Sequence, residues 1–311
     1  MKPTATIRSL FIGIACSLLI SQAASSDFNF EVALETDVHE IIMAELSKPI
    51  LIRLKNGAYI IGHSVKLEDQ KLLVGTSSEG GEARFTFDIH QLKHIKVPGK
   101  SVQKQALQAL QSQDTLLARG ILERLYYQRV NLLPLLSEAE SQLFIAYAEL
   151  VFAANDAAAA LGICQKIQAQ LNKKLWQRQL QLVILQCYDQ LQLDQKSISL
   201  SQEFITANRW QQHDGLAYYV LAKTYYTQEA YQSSLATALE GIVLDTRPFG
   251  SYLNACYALA ALSALKLKQL EYAHCLYSDM QKSSLEWPPS PNPLAESEKT
   301  LLQQLSEYGL Q

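Results

Sequence analysis

The sequence predicts a multidomain chain of two classes in series, a small five-stranded β-barrel followed by a right-handed superhelix of paired α-helices. Three observations carry this expectation. Between residues 49 and 99 the hydropathy alternates with a period of two, interrupted by the turn pairs Asn56-Gly57 and Gly80-Gly81. From Lys100 onward apolar residues follow helical spacing almost to the C-terminus. Small residues recur at Ala118, Ala160, Ser197, Ser234 and Ala273, each sixteen residues after Val102, Phe144, Gln181, Tyr218 and Tyr257, in steps of 42, 37, 37 and 39. A period in the thirties marks stacked helical hairpins, because no single hairpin can bury its apolar face alone.

The first residues carry Lys2 and Arg8, an apolar run over 10–20 and the small-x-small site Ser21-Gln22-Ala23. This pattern predicts an export signal over residues 1–23 and a mature chain from residue 24. Cys16 offers lipid anchoring as the alternative, but no Leu or Val stands three residues before it and the apolar run continues past it. No later run approaches the length that spans a bilayer, so no transmembrane segment is expected. Residues 24–48 form an acidic, partly helical lead-in, with Val38, Ile41, Ile42 and Leu46 at helical spacing before Pro49.

Within residues 49–99 strands are expected over 50–55, 59–67, 71–76 and 82–87, with a last one near Ile95. The apolar strand ending in Leu54-Lys55-Asn56-Gly57, the strand through Gly62 and the Asp88-Ile89 turn resemble the small barrels of the Sm-like and bacterial SH3-like families. The resemblance implies a fold and says little of an activity.

Residues 218–245 resemble the tetratricopeptide repeat in the packing columns, with Tyr218, Leu221, Ala222, Tyr225, Tyr231, Ser234 and Leu235 between paired helices. Ala106, Ala148, Leu185 and Ala261 fall in the column of Ala222, and Leu125, Ile167, Phe204 and Met280 in that of Gly241. The array is therefore expected over 100–284 as five pairs. Pro134 precedes Ser137 and Glu140, a capping-box pair that starts the second repeat and accounts for the longer first step. Four prolines between 285 and 294 exclude a helix there, and Asn292-Pro293 is expected to start a helix over the open end of the stack, so residues 285–311 read as linker and cap.

Removal of residues 1–23 leaves a net charge of −5, distributed unevenly. Residues 24–47 hold six acids and no base, whereas 48–100 hold nine bases against five acids. The basic segment raises nucleic-acid binding through Lys55, Lys66, Lys71, Lys93 and Lys96, but interleaved aromatic residues are few and export opposes it. Cys164, Cys187, Cys256 and Cys275 sit in expected helices at levels ill-suited to pairing and read as buried thiols. His90 and His94, four apart, have no third ligand nearby, and no nucleophile elbow or phosphate-binding glycine loop occurs. No metal, cofactor or catalytic set is expected.

The tetratricopeptide resemblance implies that the first helix of each pair lines a concave groove. It would expose Ile145, Glu149 and Phe152, then Leu182, Gln186 and Asp189, then Tyr219, Lys223 and Tyr226. A mixed aromatic and polar lining suits a protein or peptide segment. The expected function is an exported, non-enzymatic adaptor. Attachment to cell-wall polysaccharide through the SH3-like region is the alternative, followed by nucleic-acid binding or an unrecognised enzyme.

Overall fold

The computed structural model describes residues 30, 32–78, 81–170, 174–208, 215–244, 252–288 and 294–309. The expected export signal, including Cys16, lies outside them, as do Asn292 and Pro293. Among the described residues no helix is long and apolar enough to cross a membrane. The chain divides into two compact units, residues 1–177 and 178–311. The first two helix pairs thus group with the β region.

The first unit opens with helix α1 (Thr36–Leu46), whose Ile42, Met43 and Leu46 are buried. Six strands follow: β1 (Ile50–Leu54), β2 (Tyr59–Gly62), β3 (Ser64–Glu68), β4 (Lys71–Ser78), β5 (Gly81–Asp88) and β6 (Leu92–Lys96). They form two three-stranded antiparallel sheets, ordered β2-β1-β6 and β3-β4-β5, rather than the expected closed five-stranded barrel. The expected strand over 59–67 breaks at Gly62-His63. A Cβ at Gly62 would lie 2.7 Å from Val74 Cγ1, so only glycine lets the chain pass this close to β4 as it changes sheet. The β1-β2 turn has Gly57 at φ +89° and Asn56 Oδ1 accepting the Ala58 amide at 3.0 Å.

Helices α2 (Lys100–Gln111), α3 (Thr115–Arg129), α4 (Glu138–Ala153) and α5 (Ala157–Gln168) complete this unit. The segment Val130–Leu135 between α3 and α4 is a 3-10 helix, and its Leu132 is buried against Ile52, Leu54, Leu72 and Val74. The longer first repeat step therefore has a purpose in packing: its extra residues cover the sheet core. Glu140 caps α4 by accepting from the Ser137 amide at 3.1 Å and hydroxyl at 3.0 Å. Its other oxygen accepts from Gln103 Nε2 at 2.6 Å and from buried Arg129 at 3.0 Å, which ties α2, α3 and α4 together.

Helix α6 (Lys174–Gln190) leads into the second unit, which continues with α7 (Asp194–Asn208), α8 (Leu216–Thr227), α9 (Tyr231–Leu244), α10 (Leu253–Lys266), α11 (Leu270–Lys282) and α12 (Ser297–Glu307). Ala222, Ala238, Cys256, Ala260, Ala261 and Ala273 are fully buried, so small side chains let neighbouring helices approach. A buried hydroxyl chain crosses three helices: Ser263 Oγ lies 2.9 Å from Ser234 Oγ, which donates to the Ala222 carbonyl at 2.8 Å. A Cβ on Gly241 would meet Tyr218 Cβ at 2.8 Å and Cys256 Sγ at 2.9 Å, so α9 is held tightly between α8 and α10.

Every pair turns in the same way. Gln113, Asn155, Gln192, Glu229 and Lys268 have positive φ, at intervals of 42, 37, 37 and 39. The amides of Asp114, Asp156, Leu193, Ala230 and Gln269 each reach back five residues to a carbonyl of the preceding helix. This closes the first helix of each pair with one left-handed residue. The spacing equals that of the small residues, so the repeat is one of backbone geometry as well as of side-chain size. Helix α12 covers the second unit's core with buried Leu301 and Leu305, and Trp287 Nε1 donates to the Leu294 carbonyl at 2.8 Å. It begins at Ser297, later than the expected start, with Glu296 at the cap position.

Candidate functional site

Three of the nine expected groove residues lie in the first unit, on α4. Ile145 is only 2% exposed and belongs to the packing between helices, not to a lining surface. Phe152 is half-buried and Glu149 is exposed. Protein around Glu149 nevertheless desolvates its carboxylate and raises its pKa, the behaviour of a side chain that reaches water across a recessed surface.

The other six lie in the second unit, on α6 and α8. Tyr219 is buried at 4% exposure and stacks on Tyr252, ring centroids 5.5 Å apart, so it is a wall between helices and not a free anchor. Leu182 is half-buried against the same core. Gln186 Nε2 donates to the Tyr252 hydroxyl at 2.8 Å, which holds that ring in place. Lys223 Nζ contacts both Asp189 oxygens at 2.8 Å and lies 5.9 Å from the centroid of the Tyr219 ring. Each partner of this ion pair is about a fifth exposed. Tyr226 packs edge-on against Tyr231 at 5.4 Å, and burial raises its hydroxyl pKa. The structure thus brings Gln186, Asp189, Lys223 and Tyr226 onto the first helices of successive pairs, and Asp189 and Lys223 line a depression of about 480 Å³ together with Asp194, Thr224 and Thr227. Such a surface offers fixed polar groups and an aromatic edge.

The most completely built polar site in the first unit was not legible in the sequence. Glu123 and Arg124 on α3 are 1% and 3% exposed. Glu123 Oε2 accepts the Val32 amide at 3.1 Å, while both Arg124 terminal nitrogens donate to the Val32 carbonyl at 3.2 Å. Arg124 also donates to the Gly120 carbonyl at 2.8 Å and to His39 Nδ1 at 2.9 Å, and its guanidinium lies 4.3 Å from the Phe30 ring centroid. The two side chains clamp the backbone of one residue, Val32, at its amide and its carbonyl. Burial and the neighbouring Arg124 cation lower the His39 pKa, with Glu40 opposing. A small residue at position 120, one turn before Arg124, is the single sequence sign of the approach: a Cβ there would meet Leu34 Cδ2 at 2.6 Å.

Other candidates are scattered. Cys164, Cys187 and Cys256 are buried thiols, and burial pushes the Cys187 pKa up to about 11. Cys275, expected to be buried, is exposed, because α11 turns Ala273, Leu276 and Met280 inward and leaves position 275 outside. His90 lies in the 3-10 turn Ile89–Gln91, capped by Asp88, whereas His94 sits on β6 opposite Arg53. Lys55 lies in the β1-β2 turn, the lysines at 66, 71, 93 and 96 are spread over both sheets, and Lys66 pairs with Glu68 at 2.5 Å. Among the described residues no group of three or more side chains could hold a metal ion.

No family model matches the chain. No curated protein matches it either. Among solved structures, TPR-like repeats of a kinesin light chain from Podosopora anserina align at 13% identity over 60% of this chain and 93% of that chain, with a TM-score of 0.46. The hairpin assignment rests on the molecule's own geometry: among the described residues, the five turns inside the pairs are of one kind and in phase with the small residues of the following helices.

Proposed function

We propose that this protein is an exported, non-enzymatic scaffold that holds a protein or peptide segment against its tetratricopeptide-like helical repeats. The observation that carries this reading is the row of Gln186, Asp189, Lys223 and Tyr226 on first helices, with Asp189 and Lys223 lining a polar depression. An extended segment could exchange backbone hydrogen bonds with the amide and carboxylate and pack an apolar side chain on Tyr226. Tandem hairpins supply this kind of extended surface, which suits a protein-interaction scaffold. Export is inferred from the signal pattern over residues 1–23.

Cross-linking in cells followed by mass spectrometry names the partner, and capture with Lys223→Ala and Tyr226→Ala variants tests the site. Tyr219 is unsuited to this test, since its truncation would open the core. Undiminished recovery of the cross-linked partner by the double variant would remove this surface from the reading. A fusion of residues 1–23 to a reporter active only outside the cytoplasm tests export separately, and an inactive reporter would overturn it.

A further inference from the structure

In an antiparallel sheet with one face packed on a core, the outward positions are ordinarily polar. The sheet β2-β1-β6 departs from this. Its inner face buries Ile52 and Leu54 with Ile60 and Ile95, as the alternation demands. Its outer face carries Leu51, Tyr59 and Ile61, which are 41%, 66% and 52% exposed. Leu51 stands opposite Ile61 on one side and Lys96 on the other, and Arg53 stands opposite Tyr59 and His94. Cross-strand partners project from the same face. The outer face is therefore two rows, Ile61-Leu51-Lys96 and Tyr59-Arg53-His94. An apolar strip along β2 and β1 borders bases on β1 and β6, with no carboxylate in either row.

We propose that this face docks on an anionic lipid bilayer, a function beyond the scaffold reading. Leu51, Tyr59 and Ile61 enter the boundary between headgroups and acyl chains, while Arg53 and Lys96 meet lipid phosphates. The chemistry is interfacial. Aliphatic side chains and a tyrosine gain from partial immersion, and long basic side chains keep their charge at headgroup level. Arg53 already lies over the Tyr59 ring, 5.2 Å from its centroid, so one cation is held beside the ring that would lie at the interface. Charge complementarity selects the lipid: a face with bases and no acid is drawn to anionic headgroups and indifferent to neutral ones. Sheet rigidity presents the three apolar residues without an ordering cost on binding.

The test is co-sedimentation of the chain from residue 24 onward, because the apolar run over 10–20 would itself enter a bilayer. The vesicles are of phosphatidylethanolamine with about one-third phosphatidylglycerol, compared with phosphatidylcholine alone. Binding is expected to the anionic vesicles only and to weaken at about 0.5 M salt. The variant L51S/Y59S/I61S is expected to partition at least about tenfold more weakly with an unchanged circular-dichroism spectrum, since these positions are exposed. Removing the two bases in R53Q/K96Q is expected to cost roughly fivefold for each. A wild-type chain left in the supernatant with anionic vesicles overturns the proposal and assigns the strip to a protein partner. Equal pelleting of L51S/Y59S/I61S and wild type overturns it as well.

Discussion

Replacing Arg124 with Leu isolates what the buried clamp contributes. The substitution keeps apolar atoms as far as the Cδ level in α3 but removes every guanidinium bond: those to the Val32 carbonyl, the Gly120 carbonyl and His39 Nδ1. It also takes a cation 3.8 Å away from the Glu123 carboxylate, which is 1% exposed. Hydrogen bonds to a charged group contribute about 1.5–3 kcal/mol each, and breaking one side of a buried pair costs about 3–5 kcal/mol. The two figures overlap and do not add, so a local loss of about 3–5 kcal/mol is expected. Hydrogen exchange read by mass spectrometry over residues 30–46 measures it locally, which matters because two units need not unfold together. Protection of the Val32 amide should fall by roughly 150-fold or more. The double variant Glu123→Gln/Arg124→Leu should recover part of that loss, since the buried carboxylate charge is removed together with its neighbouring cation. Protection within about threefold of wild type in Arg124→Leu would refute the assignment of these bonds. The pH dependence has a definite sign. Folding lowers the His39 pKa, so the unfolded chain takes up the proton first as pH falls. The contribution is complete above the unfolded value near 6.5 and declines as pH drops from there through the lowered folded value.

Three further outcomes are expected. Gly241→Ala should destabilise the second unit by about 1–3 kcal/mol in a denaturant titration despite alanine's better helix propensity, because the new methyl meets the rigid Cβ of Tyr218; unchanged stability would mean that the helices separate freely. Ser234→Ala should cost about 1–3 kcal/mol by leaving the Ser263 hydroxyl buried without its partner, whereas Ser234→Ala/Ser263→Ala should cost less than the single change, a reversal of the usual additive order that calorimetry can detect. Glu149→Gln should raise the melting temperature near pH 7, and the gain should shrink towards pH 4.5, because the native carboxyl holds its proton to higher pH than the unfolded one.

The hairpin register was legible because its determinants are local and repeated. A small residue at each crossing and a tight turn before it recur at the same spacing, and neither depends on what lies far away in the chain. The β region was legible only as strands. Whether they close depends on where one strand breaks, and Gly62 allows the chain to leave β2 for the second sheet within one residue. Exposure was the least legible property. Tyr219, Lys223 and Tyr226 have the helical spacing of a groove lining, yet the aromatic ring of Tyr219 is consumed by Tyr252, a residue that precedes another helix and carries no periodic signal.

Local pattern by itself determined the class of each region and the phase of the helix pairs. Tertiary structure decided which side chains face water. It also placed Val32 between Glu123 and Arg124, 91 and 92 residues away in sequence. The physical reason is range. Propensity and periodicity act within a few turns, whereas a buried charge is tolerated only where distant backbone supplies its hydrogen bonds, and that meeting is set by how the whole unit packs.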